Sequence, residues 1–129
     1  MGMIGFSNMA KNVESAIQKA VVQWVRTNHP LVLIHATSNE HSFAKHSDYS
    51  LGIPDLLLFH RSGAILHCLF LELKTKKRIK EKDGGLRKTQ IQWIESYLED
   101  FAADNTLCEV AHGYTEAINI IMNWLLSEH

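Results

Sequence analysis

The sequence predicts an α/β fold, a mixed four-stranded sheet flanked by helices in the order α-β-β-β-α-β-α, and three observations lead there. Ile65 to Leu73 is apolar on both alternating sets, with Leu66, Cys68 and Phe70 on one face and Ile65, Leu69, Leu71 and Leu73 on the other. A strand of that kind is covered on both sides and sits centrally in its sheet. Leu56 to Phe59 is a second such run, and Arg61-Ser62-Gly63-Ala64 between the two suits a short hairpin loop. Around this pair lie three segments whose apolar residues recur at helical spacing.

The first of these, from Asn8 to about Thr27, repeats Val13, Ile17, Ala20, Val21 and Trp24, and Asn28-His29-Pro30 ends it. Leu31 to Ala36 follows as a short strand. Thr37 to Leu51 is polar and aperiodic, the character of a surface loop able to contact a substrate. After the hairpin of Pro54 to Lys74, a basic connection from Lys76 is closed by Gly84-Gly85, a pair suited to tight backbone before a helix. Leu86 to about Phe101 then predicts a helix burying Ile94, Tyr97, Leu98 and Phe101. Leu107 to Ala111 is a last strand, and Thr115 is placed to cap a helix through Leu126.

A chain of 129 residues, 46% hydrophobic and 21% charged, suits a single domain over residues 1–129 with one core. Net charge is −1, yet eight of the thirteen Lys and Arg fall between Lys74 and Lys88, so the local field matters more than the total. Cys68 and Cys108 lack a Cys-x-x-Cys spacing and read as buried thiols in a reducing compartment. The N-terminus has neither a signal-peptide pattern nor a myristoylation signal, and no apolar run approaches the roughly 18 residues of a membrane span. The expectation is a cytoplasmic protein with no membrane partner and no nucleotide cofactor.

Asp55, Glu72 and Lys74 stand at the ends of the two apolar strands. Strand ends are often charged because they emerge into water, but Glu72 and Lys74 continue the face of Leu66, Cys68 and Phe70. Charge on such a face is costly unless paired, hydrated or ligated. An even-length loop centred on Ser62-Gly63 places Asp55 opposite Phe70, and all three groups then converge on one side of the sheet. A three-residue loop would instead separate Asp55 from the other two.

These residues carry a family resemblance. Asp55 followed by Glu72-x-Lys74 resembles the PD-(D/E)xK nuclease superfamily, and the fuller pattern is similar to its VRR-NUC branch. The matching elements are Glu14 in the first helix, Gly52-x-Pro54-Asp55, Phe70-Leu71-Glu72-Leu73-Lys74, Gln90-x-x-Trp93 and Val110-x-x-Gly113-Tyr114-x-x-Ala117, covering about residues 9 to 126. Residues 38–51 depart from the glycine-containing loop usual in that family. The resemblance implies a restriction-endonuclease-like core and hydrolysis of DNA to leave a 5′-phosphate. It also implies a metal held by Asp55, Glu72 and the Leu73 carbonyl, with Glu14 as an extra carboxylate.

Such hard oxygen ligands suit Mg²⁺ or Mn²⁺ over zinc. Lys74 could orient or deprotonate the attacking water, or hold the phosphate as a cation. Glu14 borders the apolar stripe of its helix and would otherwise read as an ordinary solvated acid. Gln90 shares a stripe with Ile94, Tyr97 and Phe101, so its amide needs partners, and the resemblance assigns it to the site. Lys76, Lys77, Arg78, Lys80, Lys82, Arg87 and Lys88 are the candidate DNA-binding residues. Such a run is usually a solvated loop, but this one directly follows Lys74. Six phosphate contacts would give a log-log salt slope of about −5 on duplex DNA.

His41 and His46 with Asp48 have no recognised zinc-ligand spacing, and His35, His60 and His67 fall in strands. Trp24, Trp93 and Trp124 read as core rather than base-stacking groups. The function expected is therefore a divalent-metal-dependent endonuclease, homodimeric and selective for branched DNA such as four-way junctions. A sequence-specific restriction-type enzyme and a non-catalytic nucleic-acid-binding module are the alternatives.

Overall fold

The computed structural model describes residues 5–37 and 52–127, with side chains of the first helix described from Val13 onward. The predicted loop of Thr37 to Leu51, with His41, His46 and Asp48, lies outside them from residue 38 onward. The elements follow the expected order: α1 (Gly5–Asn28), β1 (Leu33–Ala36), β2 (Leu56–Ser62), β3 (Ile65–Lys74), α2 (Lys88–Asp100), β4 (Thr106–His112) and α3 (Tyr114–Leu126). Two short 3-10 turns, Lys76–Lys80 and Lys82–Gly85, fill the basic connection.

The strands form one sheet in the order β1-β2-β3-β4. The first two pairings are antiparallel and β3 with β4 is parallel, so the sheet is mixed. That parallel step follows from chain geometry, because α2 carries the chain back along the sheet before β4 begins.

The hairpin pairs Ser62 with Ile65, leaving Gly63-Ala64 as a two-residue loop. Only Gly63 has a positive φ, 61°, the pattern of a type II′ turn. The expected loop, centred one residue earlier, would have put Ser62 at a position where both favoured hairpin turns demand positive φ. Glycine therefore selects the register, and Leu56 pairs with Leu71.

One face of the sheet holds the main core. Leu56, Leu58, Leu69, Leu71 and Leu73 pack against Val21 and Val25 of α1 and against Ala117, Ile118, Ile121 and Trp124 of α3. Each fully buried leucine contributes about 1.5–3 kcal/mol from removing apolar surface from water. The other face carries α2, where Phe70 meets Trp93 and Tyr97 with ring centroids 5.4 Å apart in each pair. Trp93 lies nearly parallel to Tyr97, and the Tyr97 hydroxyl donates to Thr106 Oγ1 at 2.6 Å.

This second layer is thinner than the periodicity of α2 suggests. Tyr97 is buried and Ile94 half-buried as expected, but Leu98 and Phe101 are 59% and 70% exposed. Gln90 and Tyr97 define the line facing the sheet, and Leu98 is rotated about 100° from Tyr97. Phe101 follows the helix as its C-cap, with non-helical backbone. At the other end of the chain, α3 begins after Gly113, whose carbonyl accepts the Ala117 N–H at 3.1 Å, so Gly113 is the N-cap in place of the expected Thr115.

Leu71 is fully buried at the centre of the larger core. Leu71→Ala should cost about 2–5 kcal/mol through lost burial and an unfilled cavity, read as a lowered urea midpoint at unchanged slope.

Candidate metal centre and nucleic-acid interface

The observed register carries the strand ladder as far as Leu56 and Leu71, so the next rung sets Asp55 across from Glu72 rather than Phe70. The difference of two residues preserves side-chain parity, and Asp55, Glu72 and Lys74 share the α2 face as predicted. Beyond Leu56 the strand pairing stops. The Leu73 N–H donates to Asp55 Oδ2 at 2.8 Å, anchoring the carboxylate to the neighbouring strand. Thr37, at the end of β1, holds Asp55 from behind: its N–H donates to the Asp55 carbonyl at 2.8 Å and its hydroxyl to the Pro54 carbonyl at 2.9 Å.

The Gly52-x-Pro54-Asp55 element owes its glycine to a close approach. Gly52 has φ 87°, and a Cβ there would stand 2.1 Å from the Thr89 carbonyl oxygen in the first turn of α2. Only a residue without a side chain lets this segment run against α2. The same approach brings Gln90 over the acidic edge: its Nε2 donates to Glu72 Oε2 at 2.7 Å, while its Oε1 accepts the Arg87 N–H at 2.8 Å. Both ends of the amide are thus used, which answers the requirement read from its place on a buried stripe.

Moving along α2 from Gln90 to Trp93 to Tyr97, the sheet partners recede from Glu72 to Phe70 to Thr106, so α2 runs antiparallel to β3. The three-residue interval of Gln90-x-x-Trp93 matches the two-residue interval of Phe70-x-Glu72 because helix and strand advance at different rises.

Electrostatically the site is under tension. Glu72 is 1% exposed, and its Oε1 has no hydrogen-bond partner among the described residues. Burial first, and then the negative charge of Asp55, push its carboxyl up to about 9, against the opposing attraction of Lys74. Lys74 Nζ lies 3.8 Å from Glu72 Oε2 and is itself 3% exposed. Asp55 is also raised, by burial, with the Leu73 N–H opposing. A buried carboxyl with an oxygen unused among the described residues, beside the half-buried Asp55, suits a hard divalent cation.

Among the described residues, no three His, Cys, Asp or Glu side chains are gathered to hold an ion unaided. Mg²⁺ commonly keeps several waters and takes only one or two carboxylates, so the Asp55 and Glu72 pair fits it. Glu14 stays in the neighbourhood, since its charge reaches Asp55, but its carboxylate is engaged with Arg78 at 3.2 Å. Leu73 turns its side chain into the opposite core.

The predicted basic residues line the connection beside this edge. Lys76, Lys77, Arg78 and Lys80 lie in the first 3-10 turn and Lys82 in the second; Arg87 caps α2 and Lys88 begins it. Lys76, Lys77, Lys80, Lys82, Arg87 and Lys88 are exposed, and Arg87 is close enough for its charge to favour the ionised Glu72. Arg78 differs. Its guanidinium lies over Gly85 and pairs with both Glu14 and Glu81 at 3.2 Å, so it braces the turn from within.

One residue of the site escaped sequence reasoning. His112 pairs with Lys74 across the parallel β3 and β4, on the same face, and its Nε2 contacts the Gly84 carbonyl at 2.8 Å. The available signal was its place within Val110-x-x-Gly113. In comparisons with known proteins, the chain matches no family model, no curated protein and no solved structure.

Gly52 and Gly63 both have positive φ but differ in surroundings, since a Cβ at Gly63 meets open space. Gly63→Ala should cost about 1 kcal/mol of backbone strain. Gly52→Ala should cost about 3 kcal/mol or more, because the chain must also move off α2, as urea unfolding of the two variants will show. The buried carboxyl has a pH signature. Between about pH 4.5 and about 9 the folded chain keeps a proton on Glu72 that the unfolded chain has released, so stability falls as pH rises through that window. The slope should approach about 1.4 kcal/mol per pH unit in metal-free buffer. Glu72→Gln should flatten it, as unfolding midpoints across the window will show.

Proposed function

We propose that the chain is a Mg²⁺- or Mn²⁺-dependent endonuclease that hydrolyses the DNA backbone. The observation carrying this reading is the buried Glu72, its Oε1 unpartnered among the described residues, beside Asp55 and Lys74 at an edge flanked by basic turns. A carboxyl as costly to bury as Glu72, set against the half-buried Asp55, adds nothing to apolar packing. The reading that accounts for it is cation binding next to a polyanion.

In this mechanism Asp55 and Glu72 would hold the cation through their oxygens, and Gln90 holds Glu72 in one orientation through its 2.7 Å hydrogen bond. A bound Mg²⁺ or Mn²⁺ would acidify its water and offset the charge that builds on the scissile phosphate. Lys74, 3.8 Å from Glu72, orients the attacking water or holds a phosphate oxygen. Lys76, Lys77, Lys80, Lys82, Arg87 and Lys88 track the backbone without reading bases. For substrate we propose branched DNA such as four-way junctions, cut by a homodimer whose two-fold axis presents two sites to symmetric strands.

Lys74→Ala should lower cleavage by about 100-fold or more while leaving DNA affinity within about twofold. Cleavage at the wild-type rate would remove Lys74 from the mechanism. Saturating Mn²⁺ should raise the unfolding temperature of the wild type and not of Glu72→Ala, a readout independent of catalysis. A panel of linear duplex, single strand, flap, splayed arm and four-way junction tests selectivity. Equal cutting of all members would sink the preference for branches, and binding without cutting would favour a non-catalytic module.

A further inference from the structure

The basic turns have no apolar anchor. None of Lys76–Lys80 is buried, Ile79 is 55% exposed, and in Lys82–Gly85 only Gly85 is buried. Their backbone hydrogen bonds are local: Arg78 N–H to Thr75, Glu81 to Arg78, Gly84 to Glu81, and Leu86 to Asp83. Such bonds shape the segment without fixing where it stands relative to Glu72 and Lys74. Position must come from tethers to other elements, and two are present among the described residues. One is the Arg78 ion pair with Glu14 of α1. The other is the contact of His112 Nε2 with the Gly84 carbonyl at 2.8 Å.

We propose that His112 is the positioning residue that sets the basic turns of residues 76–85 against the carboxylate edge, so that their cations lie along one path for a DNA backbone. The inference rests on the reading of the site given under Proposed function and names how its polyanion surface is held. Because a carbonyl only accepts, Nε2 carries the proton and donates. The backbone that carries the ring is held at the end of β4, where the His112 N–H donates to Glu116 Oε1 at 3.1 Å. Its strand partner is Lys74, whose carbonyl accepts the Gly113 N–H at 2.9 Å, so the tether begins beside the residue nearest the chemistry.

The turn is built to receive it. Asp83, Gly84 and Gly85 have φ of 57°, 63° and 84°, an unusual run of left-handed backbone. A Cβ on Gly84 would stand 3.0 Å from His112 Nε2. Glycine there both allows the conformation and makes room for the ring.

The test compares His112→Ala with His112→Gln, whose side-chain amide can offer an N–H near the position of Nε2. In His112→Ala, amide exchange across residues 76–85 should rise about fivefold, the worth of one lost hydrogen bond. Affinity for a short duplex in metal-free buffer should fall by about the same factor, with a shallower salt dependence as phosphate contacts are lost. His112→Gln should restore both, and Mn²⁺ affinity should stay at the wild-type level in either variant. Should His112→Ala not accumulate as folded protein, Gly84→Ala should reproduce its effects. Unchanged exchange in the turns, or His112→Gln as impaired as His112→Ala, overturns the positioning role. Looser turns in a protein that in its wild-type form binds no DNA would overturn the nucleic-acid reading and not the anchoring.

Discussion

The hydrogen bond between Gln90 and Glu72 is the constraint on which the site depends. It joins the first turn of α2 to the C-terminal part of β3 inside a region almost closed to water. An ionised carboxylate there loses hydration that one amide donor and a lysine 3.8 Å away only partly replace. Gln90 must therefore be held firmly. Its carbonyl is occupied by the Arg87 N–H, and the chain of Gly52 presses on the helix at Thr89. Three segments distant in sequence meet within one turn of helix.

The stability to support this arrangement comes from the opposite face of the sheet. There the leucines of β2 and β3 are closed off by α1 and α3, with little polar content. The α2 face is less thoroughly buried, relying on the Phe70, Trp93 and Tyr97 rings and on the Tyr97 hydroxyl bond to Thr106. The sheet thus has a packed side that holds the fold and a thinner side that can carry charged groups. Destabilising features accumulate on the second side, as expected where strain serves a site rather than the fold.

Charge is divided in the same way. Although the chain is nearly neutral, Glu72 and Lys74 are buried together at the sheet edge, while the cations of the adjoining turns are exposed. Arg78 is the exception, turned inward to Glu14 and Glu81. A cation spent on holding its own loop is unavailable in that conformation to a phosphate. This gives Arg78 a bracing part that its neighbours in the run do not share.

Element order and the covered second half of β3 were legible in the sequence, because alternation and helical spacing are local patterns set by side-chain direction; Ile65 and Leu66, expected to be covered, are exposed beside the hairpin turn. The convergence of Asp55, Glu72 and Lys74 on one face was legible too, since it needs only the parity of a hairpin loop. The rung itself was not: Gly63, rather than Ser62, takes the positive φ, and that moved Asp55 across from Glu72. Leu98 and Phe101 looked buried by spacing and are exposed, because periodicity gives the apolar stripe of a helix but not the width of the surface it meets. The partners of Gln90, the crowding at Gly52, the diversion of Arg78 and the reach of His112 to Gly84 were decided only by tertiary structure. Each depends on the distance between segments far apart in the chain, and no residue spacing encodes that distance.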